Sequence, residues 1–135
     1  MSAEENTAAL VRFVEEFNKG NRAIAEEVFS STCTFHSPYH PQWPRGLEGA
    51  RQLLSSAVQD IPDLHATIED LCAQGDKLAV RWTFRGTYQG EPKPGLPAPG
   101  ERITTVSISM YRFANGKIEE DWFVDAPWQT GEVWK

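Results

Sequence analysis

Residues 111–125 read YRFANGKIEEDWFVD, and they contain the clearest structural signal in the chain. Asn115-Gly116 is the dipeptide most typical of a two-residue β-hairpin turn, because both residues of that turn need a positive φ. Runs with the alternation of β-strands lie on both sides of it. We therefore predict two antiparallel strands, over residues 103–113 and 118–125.

The second of these strands carries an acidic run. Successive side chains of a strand point to opposite faces, so Asp121 and Glu120 cannot both face the interior. The face of Asp121 also holds Glu119, Phe123 and Asp125. A carboxylate in an apolar, aromatic pocket has a raised pKa, which suits it to general acid–base catalysis near neutral pH. The alternative is a solvated strand face whose charges prevent edge-to-edge pairing.

Helices are predicted in the first half of the chain and strands in the second. Apolar residues recur with a helical period near the N-terminus, where one stripe is formed by Leu10, Phe13, Val14 and Phe17. Further helices are predicted over residues 22–29 and 47–58, and further strands over residues 65–72 and 78–88. This order predicts one α+β domain over residues 1–135, with about three N-terminal helices packed on a strongly curved antiparallel sheet.

Composition limits the possible classes of function. The formal net charge is -6 and the basic residues are scattered, so we expect no nucleic acid as a partner. No segment approaches the ~20 apolar residues of a transmembrane helix, and the polar N-terminus lacks the pattern of a signal peptide. Cys33 and Cys72 lie far apart and outside any metal-binding pattern. We expect two free, buried thiols, no metal site, no membrane partner and a cytoplasmic protein.

A proline-rich loop supplies further candidates for a site. The chain holds five Trp, three Tyr and seven Phe, which suits a thick core or a pocket for a flat, apolar ligand. Three prolines stiffen residues 37–49, which makes Tyr39 and Trp43 candidates for a pocket wall. His36 is the second catalytic candidate after Asp121, because an imidazole there could bond a ligand carbonyl. The alternative is a histidine bonded to loop backbone. No glycine-rich cofactor motif is present, so no cofactor is expected.

Short motifs follow one another along nearly the whole chain. They are Phe17-Asn18-Lys19-Gly20, Phe35-His36-x-Pro38, Gly46 with Gly49, Pro62-Asp63-Leu64-His65, Val80-Arg81-Trp82, Pro99-Gly100-Glu101-Arg102 and residues 111–125. In this order they resemble the SnoaL-like polyketide cyclase family, which has a similar ending, R-F-x-D-G-K-I-x-E-x-W. That family is part of the nuclear-transport-factor-2-like superfamily, with ketosteroid isomerase, scytalone dehydratase and limonene epoxide hydrolase.

The resemblance implies a cone of three helices against a bent sheet, a deep apolar pocket and a homodimer through the outer face of the sheet. It also implies acid–base catalysis without a cofactor. The histidine and the acid of the cyclases fall here on Ser109 and Phe123, so the cyclase dyad is absent at those positions. Asp121 lies two residues before Phe123 on the same face and could reach the same cavity. The residues expected to line the pocket are Phe35, Tyr39, Trp43, Trp82, Ser109, Tyr111, Glu119 and Phe123.

Three functions remain open at this point. The first is an enzyme of the isomerase, cyclase, dehydratase or hydrolase type acting on a small apolar or polycyclic molecule. Asp121 would then be the proton shuttle, and His36 or Tyr111 would polarise a carbonyl. The second is a non-catalytic module that binds a small apolar ligand, and the third is a dimerising scaffold with a filled interior. The sequence favours the first.

Overall fold

The computed structural model describes residues 2–134. The helices are α1 (Ala3–Asn18), α2 (Ile24–Val28) and α3 (Gly46–Gln59). The strands are β1 (Phe29–His36), β2 (His65–Gln74), β3 (Lys77–Thr87), β4 (Arg102–Ala114) and β5 (Lys117–Asp125). The predicted hairpin joins β4 to β5, and Asn115 and Gly116 have the positive φ angles that its turn requires.

The five strands form one sheet in the order β1-β5-β4-β3-β2. β2, β3, β4 and β5 pair antiparallel as predicted, but β1 runs parallel to β5. The sheet is therefore mixed rather than wholly antiparallel. The reason is that α3 and three strands separate β1 from β5, which gives the chain the long crossover that a parallel pair needs. The predicted α+β class, with three helices packed on one sheet, is confirmed.

The core lies between the helices and the inner face of the sheet. α1 packs on β2, and α3 packs on β1. From the predicted stripe of α1, Leu10, Phe13 and Val14 are buried. Phe29, at the start of β1, is 1% exposed and meets the ring of Phe13 edge-on, with 5.5 Å between ring centroids. Each fully buried side chain of this kind stabilises the fold by roughly 1.5–3 kcal/mol.

A β-bulge in β5 changes the alternation of its side chains. Phe113 of β4 pairs with Ile118. Arg112, which precedes Phe113 on β4, would pair with Glu119 in a regular ladder, but it pairs with Glu120. Glu119 is therefore the extra residue of the bulge, and the side chains before and after it do not alternate as they would in a regular strand.

The bulge decides which acidic side chain faces inward. Ile118 is fully buried, and Asp121 and Phe123 are buried beyond the bulge. The side chain of Glu119 instead accepts a hydrogen bond from Thr32 Oγ1 at 2.6 Å in an exposed position. This corrects the expectation that Glu119 lines the pocket, because strict alternation assumes a strand without an inserted residue.

The side chain of Asn18, at the end of α1, completes the edge strand β2. Its Nδ2 donates to the backbone carbonyl of Ala66 at 2.9 Å, and its Oδ1 accepts from the Ala66 N–H at 2.9 Å. Ala66 is 4% exposed, so both of its backbone groups depend on this amide for hydrogen bonding. The asparagine of the Phe17-Asn18-Lys19-Gly20 motif thus fastens α1 to the sheet.

Replacing Asn18 by alanine is expected to lower the free energy of unfolding by about 2 kcal/mol, because two buried backbone groups lose partners worth roughly 1 kcal/mol each. Urea denaturation followed by tryptophan fluorescence measures the change. Asn21→Ala is the matched control, since its Nδ2 donates to Glu16 in an exposed hydrogen bond. The control should change stability by less than about 0.5 kcal/mol. Equal effects of the two variants would contradict the role of Asn18.

Candidate active site

A cavity of about 230 Å³ lies between the helices and the inner face of the sheet. Its helix side is largely apolar and includes Phe13, Val14 and Phe17 of α1 and Leu53, Leu54 and Ala57 of α3, with Ser56. Its sheet side carries hydroxyl and carboxyl groups from β4 and β5, which form a polar wall beside the apolar Ala66, Trp82, Phe84 and Phe123. One wall therefore suits the apolar face of a ligand, and the other suits its polar substituents.

The polar wall comes mainly from alternate residues of β4. Four hydroxyl-bearing side chains line the cavity at intervals of two residues: Thr105, Ser107, Ser109 and Tyr111. The same alternation sends Ile108 and Met110 to the outer face, where they are 51% and 44% exposed. The row follows directly from the period of two along an extended strand.

Asp121 lies at the buried end of the polar wall. Its side chain is part of the cavity lining, the residue is 1% exposed, and Oδ1 has no hydrogen-bond partner among residues 2–134. In the sheet it stands between Tyr111 of β4 and Phe35 of β1. Burial raises the pKa of Asp121 well above its ordinary value, and the negative charge of Asp125, which also lines the cavity, adds to the increase.

Tyr111, which pairs with Asp121 on the adjacent strand, lies beside the hydrogen-bonded side chains of Trp82 and Ser109. Trp82 Nε1 donates to Ser109 Oγ at 3.1 Å. Burial raises the pKa of Tyr111 well above its ordinary value, and the charge of Asp121 raises it further. The nearby polar groups of Ser109 and Trp82 lower the pKa of Tyr111 without cancelling this increase. The Tyr111 hydroxyl is therefore a protonated donor over the whole range around neutral pH.

Trp43, from the proline-rich loop, closes one side of the cavity. Its Nε1 donates to the carbonyl oxygen of Gly49 at 3.0 Å, and its ring meets that of Phe123 edge-on at 5.6 Å. A Cβ at Gly49 would collide with the Pro44 carbonyl oxygen and the Phe35 ring. The glycine is therefore required for α3 and the loop to approach closely enough to place Trp43.

His36 lies on the outer face of the sheet, away from Asp121. Its ring stacks on Trp122 with 5.2 Å between centroids, and Nε2 lies 3.1 Å from Glu120 Oε2. The expectation that His36 acts on the pocket is corrected by the geometry of β1. Phe35 takes the inward position there, so its neighbour must point outward.

The structure brings together six of the residues proposed from the sequence. These line the cavity: Trp43, Trp82, Ser109, Tyr111, Asp121 and Phe123. Their roles in binding or catalysis stay predictions. Phe35 instead packs in the core, with its ring 5.5 Å from that of Phe29, and Tyr39 is 66% exposed. The expectations for Phe35 and Tyr39 as cavity residues are therefore corrected.

Two titratable residues of the cavity were given no role by the sequence. His40 lines the cavity and meets the ring of Trp43 edge-on at 5.3 Å. It lies in a loop, where no period predicts the direction of a side chain. Asp125 also lines the cavity, and the sequence did contain its signal, because it shares the face of Asp121 at a distance of four residues.

The family model described as SnoaL-like polyketide cyclase matches residues 8–126, which include most of α1, the other two helices, all five strands and the polar wall of the cavity. The chain belongs to the SnoaL-like polyketide cyclase family. Membership confirms the resemblance found in the sequence, and it confirms the general superfamily, the nuclear-transport-factor-2-like proteins. The match also supports the coarse class of function, a cyclase or isomerase type of activity without a cofactor.

Solved structures share the fold of this SnoaL-like chain. AclR from Streptomyces galilaeus is 24% identical, covering 93% of this chain and 91% of that chain, with a TM-score of 0.78. TsrD from Streptomyces laurentii is 25% identical, with coverages of 93% and 90% and a TM-score of 0.77. IdmH from Streptomyces antibioticus is 27% identical, with coverages of 89% and 91% and a TM-score of 0.75. No curated protein matches the sequence significantly.

Two further observations concern the described part of this SnoaL-like chain. Within residues 2–134, no helix is long and apolar enough to cross a membrane. Nor do the same residues contain a group of three or more His, Cys, Asp or Glu side chains that could hold a metal ion.

Proposed function

We propose that the protein is a cofactor-independent acid–base enzyme of the isomerase or cyclase type, with Asp121 as the proton shuttle. Its substrate is a small, largely apolar molecule that reacts at a carbon next to a carbonyl group. The observation that carries this function is the carboxyl group of Asp121, which is buried, lines the cavity and leaves Oδ1 without a hydrogen-bond partner among residues 2–134.

Burial gives Asp121 the chemistry of a base. A carboxylate removed from water holds a proton more tightly, so its raised pKa makes it a stronger base than an exposed aspartate. Efficiency in general acid–base catalysis is greatest when the pKa of the group lies near the working pH. Because the carboxylate is the active form, the reaction rate should rise with pH through the raised pKa of Asp121.

The pairing of Asp121 with Tyr111 supports a specific proton transfer. A carbonyl oxygen of the substrate accepts a hydrogen bond from the Tyr111 hydroxyl. Asp121 takes the proton from the neighbouring carbon, so the C–H bond breaks, an O–H bond forms on Asp121, and the electron pair is delocalised onto the oxygen as an enolate. In an isomerisation, Asp121 returns the proton to a different carbon of the conjugated enolate. In a cyclisation, the enolate carbon attacks a second carbonyl to form a C–C bond, and Asp121 gives its proton to the alkoxide that results.

Proton exchange on a simple ketone tests this function without knowledge of the natural substrate. α-Tetralone is incubated with the protein in heavy water, and proton NMR follows loss of the signal from the carbon beside the carbonyl. We expect a protein-dependent, saturable exchange. Glu120→Gln removes the neighbouring carboxylate on the outer face and should leave the rate unchanged. Binding of the ketone without any exchange above buffer would instead identify a non-catalytic binding module.

The outer face of the sheet supports a further proposal, a homodimer. Ile108 and Val124 are paired neighbours on the adjacent strands β4 and β5 and are 51% and 49% exposed, beside Met110 at 44%. Exposed apolar patches of this kind on a folded protein commonly mark an interface. We take the partner to be a second copy of the chain, because in a two-fold interface the same surface patch of both subunits is in contact. The apolar outer face of one sheet would then pack on the same face of the other.

Size-exclusion chromatography with light scattering tests the homodimer. The wild-type protein should elute as a dimer, and Met110→Glu should elute as a monomer at the same concentration because a charge is buried unpaired in the interface. Val11→Glu is the control, since Val11 is exposed on α1, away from the sheet. A monomeric wild-type protein would contradict this assembly.

We further propose that the protein works in the cytoplasm. Both thiols are free. Cys33 is buried as expected, but the expectation of a buried Cys72 is wrong, because Cys72 lies exposed on the edge strand β2. Free thiols in a small domain are typical of a reducing compartment, where disulfides are rare.

A further inference from the structure

We propose that the cavity takes a hydroxyketone of one or two rings, with its carbonyl oxygen at the Ser109–Tyr111 end and its hydroxyl group toward Ser107 and Thr105. This ligand class rests on the proposed function, because it places the carbonyl beside Asp121. It goes beyond that function by fixing the size of the molecule, the number of its polar groups and the direction in which it binds.

The size follows from the volume of the cavity. The space measures about 230 Å³. A cavity of about 150 Å³ holds a single benzene ring, whereas pockets for drug-sized molecules begin at roughly 300 Å³. One ring with substituents, or two fused rings, fills the space between the apolar residues of α1 and α3 and the polar wall. A molecule of four fused rings exceeds it.

The inner end of the polar wall presents a hydrogen-bond donor. The Trp82 indole N–H can only donate, and it donates to Ser109 Oγ at 3.1 Å. Because Ser109 Oγ accepts this bond, the serine keeps its own proton, and a ligand acceptor such as a carbonyl can take it. Tyr111, two residues further along the same face of β4, places a second hydroxyl group at this end of the cavity.

The outer end of the polar wall presents acceptors. Ser107 Oγ donates to the Val124 carbonyl oxygen at 3.2 Å, and Thr105 Oγ1 donates to the Ala126 carbonyl oxygen. Backbone carbonyls can only accept, so each hydroxyl has used its one proton and offers a ligand its remaining lone pairs. Asp125, which stands opposite Ser107 in the sheet and lines the cavity, offers carboxylate oxygens. This end therefore suits a ligand donor such as a hydroxyl group.

The spacing of the two ends sets the distance between the two substituents. Ser107 and Ser109 are two residues apart on an extended strand, which separates them by about 7 Å. A phenolic hydroxyl group para to a ring carbon that bears a carbonyl spans a similar distance. The opposite, apolar wall contacts the flat face of the ring through Phe13, Phe17 and Leu54.

Calorimetric titration with matched probes tests the ligand class. The probes are α-tetralone with a hydroxyl group para to the carbonyl-bearing ring carbon, α-tetralone itself, the corresponding tetrahydronaphthol without a carbonyl, and the four-ring naphthacenequinone. We expect the hydroxyketone to bind about tenfold more tightly than either probe that lacks one polar group, since each loses a buried hydrogen bond. Naphthacenequinone should not bind measurably.

Two variants assign the direction of binding. In Ser109→Ala, the hydroxyketone should bind no more tightly than the tetrahydronaphthol that lacks the carbonyl, but still more tightly than α-tetralone, which lacks the hydroxyl. In Ser107→Ala, the hydroxyketone should bind no more tightly than α-tetralone, but still more tightly than the tetrahydronaphthol. If the hydroxyketone binds no more tightly than α-tetralone, or if naphthacenequinone binds as tightly, the ligand class is wrong. Exchange on α-tetralone would then still support the proposed function. The expected preferences without any exchange would overturn the proposed function and leave the ligand class standing.

Discussion

The Asp121→Asn variant is expected to lose proton exchange on α-tetralone by a factor between about 100 and 10,000, the usual contribution of a general acid–base group. Asparagine has nearly the same shape, so it fills the same buried position, but it cannot take a proton from carbon. The loss should appear in kcat, because binding of the ketone depends mainly on the apolar wall and on Tyr111. Circular dichroism and the urea midpoint check that the variant remains folded.

A matched control distinguishes the loss of the Asp121 carboxylate in the cavity from the loss of any negative charge on β5. Glu120 is the next residue of β5, but it faces outward and bonds Arg112 Nε at 2.8 Å and His36. Glu120→Gln removes one negative charge at nearly the same place in the chain without touching the cavity. If the two variants retain the same exchange rate, Asp121 is not the base and the proton shuttle lies elsewhere.

Tyr111→Phe is expected to reduce kcat for the same exchange by about 100-fold, the lower range for removal of one donor to a developing oxyanion. Phenylalanine keeps the ring that packs in the core, where Tyr111 is 5% exposed, and removes only the hydroxyl group. Since charge accumulates on the substrate oxygen after the proton leaves, the lost hydrogen bond matters more in the transition state than in the bound ketone. A rise in KM with unchanged kcat would show that the hydroxyl only binds substrate.

Much of the fold was readable from local patterns. The Asn115-Gly116 turn, the period of two in the later strands and the stripe of α1 each reflect contacts between residues close in sequence. The parallel pairing of β1 with β5 could not be predicted from local patterns. It joins Thr34 to Glu120 and His36 to Trp122 across most of the chain, and nothing in either segment alone specifies the direction of pairing.

The site was predictable where a strand is regular and not where it is interrupted. Alternation correctly placed Ser109 and Tyr111 on one face of β4, and Asp121 with Phe123 on one face of β5. It failed at Glu119, because an inserted residue is a property of the pairing between two strands.

Histidines posed a different difficulty. Phe35 faces the interior from β1, so the next residue, His36, faces outward. The apolar pattern of this strand is too short to show whether its odd-numbered or its even-numbered residues face the interior. His40 reaches the cavity from a loop held by tertiary contacts such as the hydrogen bond from Trp43 to Gly49. A loop has no repeating pattern of apolar residues, so the sequence does not reveal which of its side chains contact the rest of the protein.

The pKa of Asp121 in the ligand-free protein is the decisive measurement for its assignment as the buried base. Carbon NMR of side-chain carboxyl groups follows its titration, and the spectrum of Asp121→Asn assigns the signal. Burial in the cavity predicts a midpoint well above the ordinary value of about 3.9, and the pH profile of proton exchange should share that midpoint. A midpoint at the ordinary value would show that water reaches the carboxylate freely, and it would contradict the assignment of Asp121 as the buried base.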